Sequence, residues 1–211
     1  MQETYFNHIP ERFLPLFEPA GEPWEAIGRL EGAIANMVRE SNKAEMQGNV
    51  FIRGPVEIGE GSIIEHGAVI IGPGILGKNC RVRAGAYIRG MVIAGDDCVI
   101  GHTSEVIRSI LFDRVRVDHF NYVGDSILGN DVHFGAGAKV ANVRFDGAQI
   151  CVDGKSTGRK KFGVILGDRC QLGVNVTIGP GVIMKPGIWY ADPETPKSAI
   201  YAKSPFMSTS D

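Results

Sequence analysis

The chain has 211 residues, 44% of them hydrophobic and 22% charged, with a formal net charge of −2. This balance is typical of a folded globular protein, and the slightly negative charge argues against a general affinity for nucleic acid. No apolar run approaches the roughly 20 residues of a membrane span, and the N-terminus lacks the pattern of a secretion signal. We therefore expect a cytoplasmic protein without a membrane partner.

Residues 1–48 are interpreted as an N-terminal extension that contains one helix. Within residues 23–40, the apolar side chains Trp24, Ile27, Leu30, Ile34 and Met37 recur at helical spacing, which predicts an amphipathic helix. A solenoid has open ends that invite further pairing. If the rest of the chain is a solenoid, this helix is expected to cap an end of it or to contact another subunit.

Residues 49–190 contain a six-residue repeat. An aliphatic residue returns every six positions from Ile52 onward, apart from two five-residue steps that end at Leu111 and Leu128. Glycine often follows the aliphatic residue, and the fifth residue of the hexad is usually small. This period fits neither a helix nor a simple strand, but it is typical of the short strands and turns of a parallel β-helix. We predict an all-β hexapeptide-repeat solenoid of about seven coils, with the first and fifth residues of each hexad pointing inward.

Two segments depart from the repeat. An inserted loop over residues 143–163 is rich in glycine, lysine and arginine, and an insertion of this length in a compact solenoid is more often functional than not. Residues 191–211 are expected to form an extended C-terminal tail. Within the repeat, Cys80, Cys98 and Cys170 occupy the small fifth position and are predicted to be buried thiols.

The stretch VDHFNYVGD, residues 117–125, carries an unusual number of polar groups. With three hexads in each coil, which is the form that the resemblance described below implies, His66, His102 and His119 share one outward column. We interpret His66 and His102 as ordinary exposed residues, and His119 as a candidate general base, since an imidazole exchanges protons near neutral pH. Asn121 occupies an inward position, where a buried amide needs hydrogen bonds. It either holds the backbone near His119 or belongs to an internal polar ladder.

A metal site is the rival interpretation of the histidine column. Stacked histidines would lie ~5 Å apart, close enough to share an ion. The spacing supplies no third ligand, however, so no metal cofactor is predicted.

Two segments resemble a known group of enzymes. HFNYVGDSILGNDVHFGAGAKVAN (119–142), followed by KFGVILGD (161–168), resembles the C-terminal acetyltransferase domain of the bifunctional bacterial enzymes that make UDP-N-acetylglucosamine. It is more similar still to archaeal-type sugar-1-phosphate nucleotidyltransferases that carry such a domain. This resemblance to hexapeptide-repeat acyltransferases implies a left-handed parallel β-helix and a homotrimer with active sites between subunits. It also implies acetyl-CoA as co-substrate and an amino-sugar phosphate as acceptor.

The resemblance also implies roles for particular positions. His119 corresponds to the catalytic base. The residues expected to contact the acceptor, with the cations among them neutralising its phosphate, are Arg83, Arg108, Tyr122, Asn142 and Lys161. The residues expected at the acetyl-CoA site, where backbone N–H groups would face the thioester oxygen, are Ala136, Gly137 and Val174.

Three positions differ from the family pattern and leave the function open. Ile107 stands in place of a lysine, His133 in place of an asparagine and Val143 in place of a tyrosine. Because no phosphate-binding loop of the nucleotidyltransferase type occurs in the sequence, we expect the nucleotidyltransferase half of such bifunctional enzymes to be missing. The leading hypothesis is acetyl-CoA-dependent N-acetylation of an amino-sugar 1-phosphate. The alternative is a non-catalytic scaffold or regulatory subunit that partners a separate nucleotidyltransferase, and a metalloenzyme like carbonic anhydrase is a more distant third.

Overall fold

In the computed structural model, which describes residues 4–191, short parallel strands wind into a solenoid with three faces. Face 1 consists of Ser41–Asn42, Val56–Ile58, Gly74–Leu76, Val92–Ala94, Ser109–Leu111, Ile127–Leu128, Val164–Leu166 and Val182–Met184. Face 2 consists of Glu45–Met46, Ile63–Ile64, Arg81–Val82, Val99–His102, Arg116–His119, His133–Phe134, Gln171–Leu172 and Trp189–Tyr190. Face 3 consists of Phe51–Arg53, Val69–Ile71, Tyr87–Arg89, Glu105–Ile107, Tyr122–Gly124, Lys139–Val140 and Thr177–Ile178.

The remaining elements flank this solenoid. A 3-10 turn (Glu11–Phe13) leads into a short helix α1 (Leu14–Phe17) and then into helix α2 (Glu25–Met37). Strands Cys151–Val152 and Lys155–Ser156 form an antiparallel hairpin within the insertion. The predicted all-β parallel β-helix with an N-terminal helix is confirmed, while the expected C-terminal tail lies outside the described residues except for Ala191.

The solenoid has about eight coils rather than the expected seven, because it begins at Ser41 instead of residue 49. The strand Ser41–Asn42 pairs in register with Glu57–Ile58, and Glu45–Met46 pairs with Ile63–Ile64. These first strands are too polar to match the aliphatic repeat. A terminal coil is packed on one side only, so backbone hydrogen bonds to the second coil hold it without a full set of buried side chains.

Inward aliphatic residues stack directly above one another along the axis. On face 2, Val82 aligns with Ile100, Ile100 with Val117, and Val117 with Phe134. All four are buried, and burying such a side chain contributes roughly 1.5–3 kcal/mol. The inward direction of the first and fifth positions is thereby confirmed, and the cysteines at the fifth position are buried as predicted.

Helix α2 lies along the outside of face 1 and is not an end cap. Its buried stripe, which includes Ile27 and Leu30, packs on outward residues of face 1 such as Ile110 and Ile127 in a second hydrophobic core. Near its start Trp24 lies beside Ile183 of the last coils, and near its end Met37 lies beside residues of the early coils. The expectation of a capping helix was wrong because the middle residues of the face 1 strands are themselves apolar and need cover.

Aromatic side chains attach the N-terminal segment to this same face. The ring of Phe112 lies 4.9 Å from the rings of Phe6 and Phe13 and 5.8 Å from that of Phe17, centroid to centroid. Such aromatic contacts stabilise beyond the burial of their area. Face 1 is therefore covered by the chain's own N-terminal segment.

A ladder of carboxylates and amides runs along the corner between faces 1 and 2. The Lys78 N–H donates to Asp96, the Asp96 N–H to Asp113, and the Asp113 N–H to Asn130, at 2.8, 2.9 and 3.3 Å. The Asn130 N–H then donates to Asp168 at 2.8 Å. Each corner amide is thus satisfied by a side chain from the following coil, so the corner needs no water inside the turn.

We predict that Phe112→Ala lowers the free energy of unfolding by about 3–5 kcal/mol, because it removes the ring on which three others pack. The matched control is Phe145→Ala in the insertion, whose ring is fully exposed and whose loss is expected to cost less than about 0.5 kcal/mol. Chemical denaturation of both variants measures the difference. Equal losses would contradict the role of Phe112.

Candidate functional site

The predicted site residues fall mainly at the two edges of face 3. His119 ends a strand of face 2, just before the corner between faces 2 and 3, here called the 2–3 corner. Tyr122 begins the next strand on face 3, and Arg108 and Asn142 lie near the corner between faces 3 and 1, called the 3–1 corner. The chain thus presents two polar clusters on successive corners.

The three histidines of the column differ in what their rings contact. In His102, Nδ1 lies 2.6 Å from the Ala84 carbonyl and Nε2 lies 3.1 Å from the Thr103 hydroxyl. His66 accepts the Asn49 N–H at Nδ1. The exposed imidazole of His119 has no hydrogen-bond partner within residues 4–191. Both of its ring nitrogens are therefore available to a ligand, which separates His119 from the other two.

Asn121 holds the backbone that presents His119. Its Oδ1 accepts the His119 N–H at 2.8 Å, and its Nδ2 donates to the carbonyls of Gly135 and Ala138 at 2.7 and 3.1 Å. Its own N–H donates to the Ser104 hydroxyl of the preceding coil. Asn121 thus both fixes the backbone and belongs to an internal polar ladder, so the two interpretations of its role are compatible.

Phe120 was not identified from the sequence as a site residue. It has φ of 53°, in a corner position that is filled by Gly85 and Gly137 in other coils. A bulky residue in this conformation is strained, and such strain clusters at functional sites. The ring is 54% exposed and packs edge-on against His102 at 5.4 Å between centroids. The signal in the sequence is phenylalanine in a glycine position.

The residues expected at the acetyl-CoA site continue the column of His119. Ala136 and Val174 are each the third residue of their hexads, on the next two coils. The Gly137 N–H donates to the His119 carbonyl at 2.8 Å and is therefore not free to bind a substrate oxygen. The described part of the chain provides no acceptor for the Ala136 N–H, which leaves that amide as the candidate donor.

A buried ion pair organises the 3–1 corner. Arg108 Nε and Nη2 donate to the two carboxylate oxygens of Asp125 at 2.6 and 2.8 Å, and these hydrogen bonds raise the pKa of Arg108. Asn142 Nδ2 donates to the same carboxylate at 2.5 Å and to the Tyr122 hydroxyl at 3.3 Å. The Arg108 guanidinium is thus largely committed to Asp125 instead of being free for a phosphate.

The Tyr122 ring lies over Gly124, which explains the Y-x-G-D motif. A Cβ on Gly124 would approach the Tyr122 hydroxyl to 2.8 Å and Asn142 Nδ2 to 2.7 Å. Glycine therefore provides the space in which these two groups meet. Burial raises the pKa of the Tyr122 phenol, with Glu105 nearby adding to the effect, so the hydroxyl keeps its proton at neutral pH. The phenol points toward the 3–1 corner and is not brought together with His119 on one chain.

Lys161 lies at the base of the insertion, beside this network. Its backbone forms a bridge with Val143, and its side chain is exposed. The next residue, Phe162, donates its N–H to the Asn142 carbonyl at 3.0 Å. The C-terminal end of the insertion is thus hydrogen-bonded to Asn142.

Arg83 lies elsewhere, next to a carboxylate that sequence reasoning did not single out. Asp118 is buried on face 2, with Arg116 Nε at 3.0 Å, Arg83 Nη1 at 3.8 Å and His133 Nδ1 at 3.9 Å. Asp118 occupies a hexad position at which both neighbouring coils have glycine, Gly101 in one of them. Aspartate in a glycine position is the sequence signal that could have revealed this residue. The cations Arg83, Arg108 and Lys161 are consequently not gathered around one point on a single chain.

Among residues 4–191, no group of three or more His, Cys, Asp or Glu side chains is arranged to hold a metal ion. Nor does any helix in that range have the length and apolar character needed to cross a membrane.

The chain is similar to characterised families over most of the solenoid. Residues 70–162 match the family described as the GMPPB C-terminal domain, and residues 162–184 match the hexapeptide repeat of succinyl-transferase. A hexapeptide transferase family protein from Anaplasma phagocytophilum superimposes with a TM-score of 0.53 at 18% identity, covering 69% of this chain and 80% of that one. At this identity the likeness shows the fold alone. Together these matches define the chain as a hexapeptide-repeat β-helix protein.

Curated relatives make the relationship more specific. A bifunctional sugar-1-phosphate nucleotidylyltransferase/acetyltransferase from Sulfurisphaera tokodaii is 38% identical over 166 residues, covering 77% of this chain and 41% of the relative. The bifunctional protein GlmU from Methanocaldococcus jannaschii is 35% identical over 172 residues, covering 80% of this chain and 42% of the relative. The chain therefore spans about two fifths of the length of these relatives. Its solenoid is related to their C-terminal part, which confirms the resemblance drawn from the sequence.

We predict that Asp125→Ala lowers the free energy of unfolding by about 3–5 kcal/mol, because it leaves the half-buried Arg108 unpaired. The matched control is Asp131→Ala. Asp131 forms the same two-pronged pair with Arg114 across 17 residues, at 2.6 and 2.9 Å. The two pairs differ in burial: the side chains are 17% and 0% exposed for Arg108–Asp125, against 51% and 43% for Arg114–Asp131.

Loss of the exposed pair is expected to cost at most about 1 kcal/mol. Urea denaturation of both variants measures the two losses, and double variants with the partner arginine isolate each coupling energy. Similar couplings for the two pairs would show that burial does not set their strength.

Proposed function

We propose that the protein is an acetyl-CoA-dependent N-acetyltransferase that acts on an amino-sugar 1-phosphate, with His119 as general base. The observation that carries this proposal is the exposed imidazole of His119, which has no hydrogen-bond partner among the described residues. Asn121 fixes the backbone of His119, and the same outward column continues through Ala136 and Val174. The relatives from S. tokodaii and M. jannaschii support the assignment, since the first is named an acetyltransferase and both match the same region.

The proposed reaction begins with an ammonium group, because an amine is mostly protonated at neutral pH. One proton of the ammonium group passes to solvent, which frees the nitrogen lone pair. His119 then accepts a second proton from this nitrogen as it attacks the thioester carbonyl of acetyl-CoA. The Ala136 N–H stabilises the oxyanion that forms, an effect typically worth ~3–4 kcal/mol. The carbon–sulfur bond then breaks, coenzyme A leaves as thiolate, and the proton on His119 returns to the sulfur.

The residues of the 3–1 corner are proposed to bind the sugar. The Tyr122 hydroxyl accepts from Asn142 and retains its own proton for a sugar oxygen, while Lys161 lies beside them with an exposed ammonium group. Arg83 provides a cation for the phosphate on the side of the solenoid that carries His119. Its guanidinium is only loosely paired there, with Nη1 3.8 Å from the Asp118 carboxylate. Phosphate recognition by arginine and lysine follows from their charge and donor geometry.

A homotrimer is proposed because the two clusters face apart on one chain. The strand Tyr122–Gly124 separates them, and its three residues extend about 10 Å. A single amino sugar is too small to contact both corners of one chain with direct hydrogen bonds. If the 2–3 corner of one copy packed against the 3–1 corner of another, the two polar clusters would line a single site.

The second candidate function is a non-catalytic subunit that partners a separate nucleotidyltransferase. Two observations favour it: Ile107 is buried where the family has lysine, and Arg108 is committed to Asp125. Both reduce the positive charge available for a phosphate. In this case a folded oligomer would transfer no acetyl group to any amino sugar.

We predict that the wild-type protein consumes acetyl-CoA with glucosamine 1-phosphate or galactosamine 1-phosphate, and that His119→Ala lowers kcat by about 10²–10⁴-fold. His66→Ala is the matched control from the same column and is expected to retain turnover. Release of free thiol measures the rate. Undiminished turnover in His119→Ala would remove His119 from the role of base, and no turnover in a folded wild type would favour the non-catalytic subunit.

We also predict that co-expressed His119→Ala and Asn142→Ala chains recover activity that neither homo-oligomer has. In a mixed trimer, an intact 2–3 corner of one chain can meet an intact 3–1 corner of the other. Each variant is purified alone as the control, and two affinity tags select the mixed assembly. Absence of recovery in a verified mixed trimer would indicate that each site lies within one chain.

A further inference from the structure

Buried apolar side chains of the insertion join the hydrophobic core that α2 shares with face 1. Ile150 and Val152 of the insertion belong to the same hydrophobic cluster as Trp24 and Ile27 of the N-terminal region. Phe162, at the end of the insertion, is fully buried in that cluster as well. Residues 143–149 between the solenoid and these anchors are all exposed. The basic segment that leads to Lys161 is therefore held at both of its ends by this shared core.

Two ion pairs join the helix region to the insertion, and their basic partners differ in burial. Glu31 of α2 pairs with Arg159, whose side chain is 20% exposed. Glu22, just before α2, pairs with Lys155 at 2.9 Å, and the lysine side chain is 68% exposed. Salt screens exposed pairs most strongly, so the Glu31–Arg159 pair is the stronger candidate for a defined role.

Arg159 connects the helix directly to the backbone of Lys161. One edge of its guanidinium contacts the Glu31 carboxylate, while Nε donates to the Lys161 carbonyl at 3.2 Å. Gly28 leaves room for this group, since a Cβ there would lie 3.3 Å from a guanidinium nitrogen. The planar fork of an arginine can hold both partners at once, which an ammonium group on a flexible stem does less well.

From Lys161 the connection continues into the 3–1 corner. The Phe162 N–H donates to the Asn142 carbonyl at 3.0 Å, and the Gly163 N–H donates to the Asp125 carbonyl at 2.9 Å. A shift of this backbone would therefore move Asn142, whose amide contacts Tyr122 and Asp125.

We propose that Glu31 is a positioning residue that acts through Arg159 to hold Lys161 and Asn142 in place for the acceptor. The proposal rests on the function proposed above, because it assigns Glu31 an effect on binding of the amino-sugar phosphate. Glu31 hydrogen-bonds to Arg159, so the effect proposed here runs through the insertion.

Limited trypsin digestion tests the structural part. Loss of the pair is expected to increase local opening of the insertion, so Glu31→Gln should raise the cleavage rate after Lys160 and Lys161 by about fivefold at a similar melting temperature. The control is Glu25→Gln, which removes a pair within α2, that of Glu25 with Arg29 at 2.6 Å, without touching the insertion. Its cleavage rate should match wild type.

Steady-state kinetics test the positioning role. Glu31→Gln is expected to raise KM for the amino-sugar phosphate about fivefold and to leave KM for acetyl-CoA within about twofold. Because the proposed effect runs through Arg159, adding Glu31→Gln to a chain that already carries Arg159→Gln should change neither the cleavage rate nor KM further.

The proposal is overturned if Glu31→Gln behaves like Glu25→Gln in both assays, or if Glu31→Gln still changes both readouts in the Arg159→Gln chain. Faster cleavage with an unchanged KM would also overturn it, because the pair would then be structural only. A wild type without turnover contradicts the proposed acetyl transfer instead. In that case the cleavage rates still decide whether Glu31 holds the insertion, and calorimetric titration with glucosamine 1-phosphate decides whether the held insertion binds an acceptor.

Discussion

Parallel pairing between successive coils fixes which side chains of this protein become neighbours. The pairing places residue 102 beside residue 119 and residue 105 beside residue 122, each 17 positions apart. Side chains separated by one coil therefore lie ~4.8 Å apart, whereas adjacent residues on one strand point to opposite faces of the sheet. The Arg108–Asp125 pair, the His102–His119 column and the Asn121–Ser104 contact all depend on this stacking. An error of one residue in register would turn each of these groups to the other side of its strand.

The repeat was sufficient to predict the solenoid and its inward residues, because inward stacking leaves a direct six-residue signal. It was not sufficient at the first coil, where Ser41 and Glu45 are held by backbone pairing and show no aliphatic signal. The position of α2 also escaped prediction. Its apolar stripe indicated that it packs on an apolar surface. The sequence did not show whether that surface was the side of the solenoid, where outward residues such as Ile110 lie, or one of its ends.

The candidate site was predictable in parts. His119 and Asn121 could be placed from the hexad count, and their contacts agree with the expected positions. The Arg108–Asp125 ion pair could have been found too. Both five-residue steps of the repeat, at Arg108 and Asp125, and the insertion after Asn142 fall at the same 3–1 corner. The repeat does not determine the direction in which a corner side chain points. The phenol of Tyr122 turns toward Asn142 because Gly124 leaves space there.

The ladder along the corner between faces 1 and 2 has a consequence for how the chain folds as it is synthesised. The amide of Lys78 is satisfied by Asp96, that of Asp96 by Asp113, and so on through Asn130 to Asp168. Each turn therefore receives its last hydrogen bond from residues that emerge from the ribosome later. A solenoid growing from its N-terminal coil carries one open amide at its leading edge, and arrival of the next coil closes it. The delay between synthesis of an amide and synthesis of its acceptor is longest for Asn130 and Asp168, because the whole insertion must be made first.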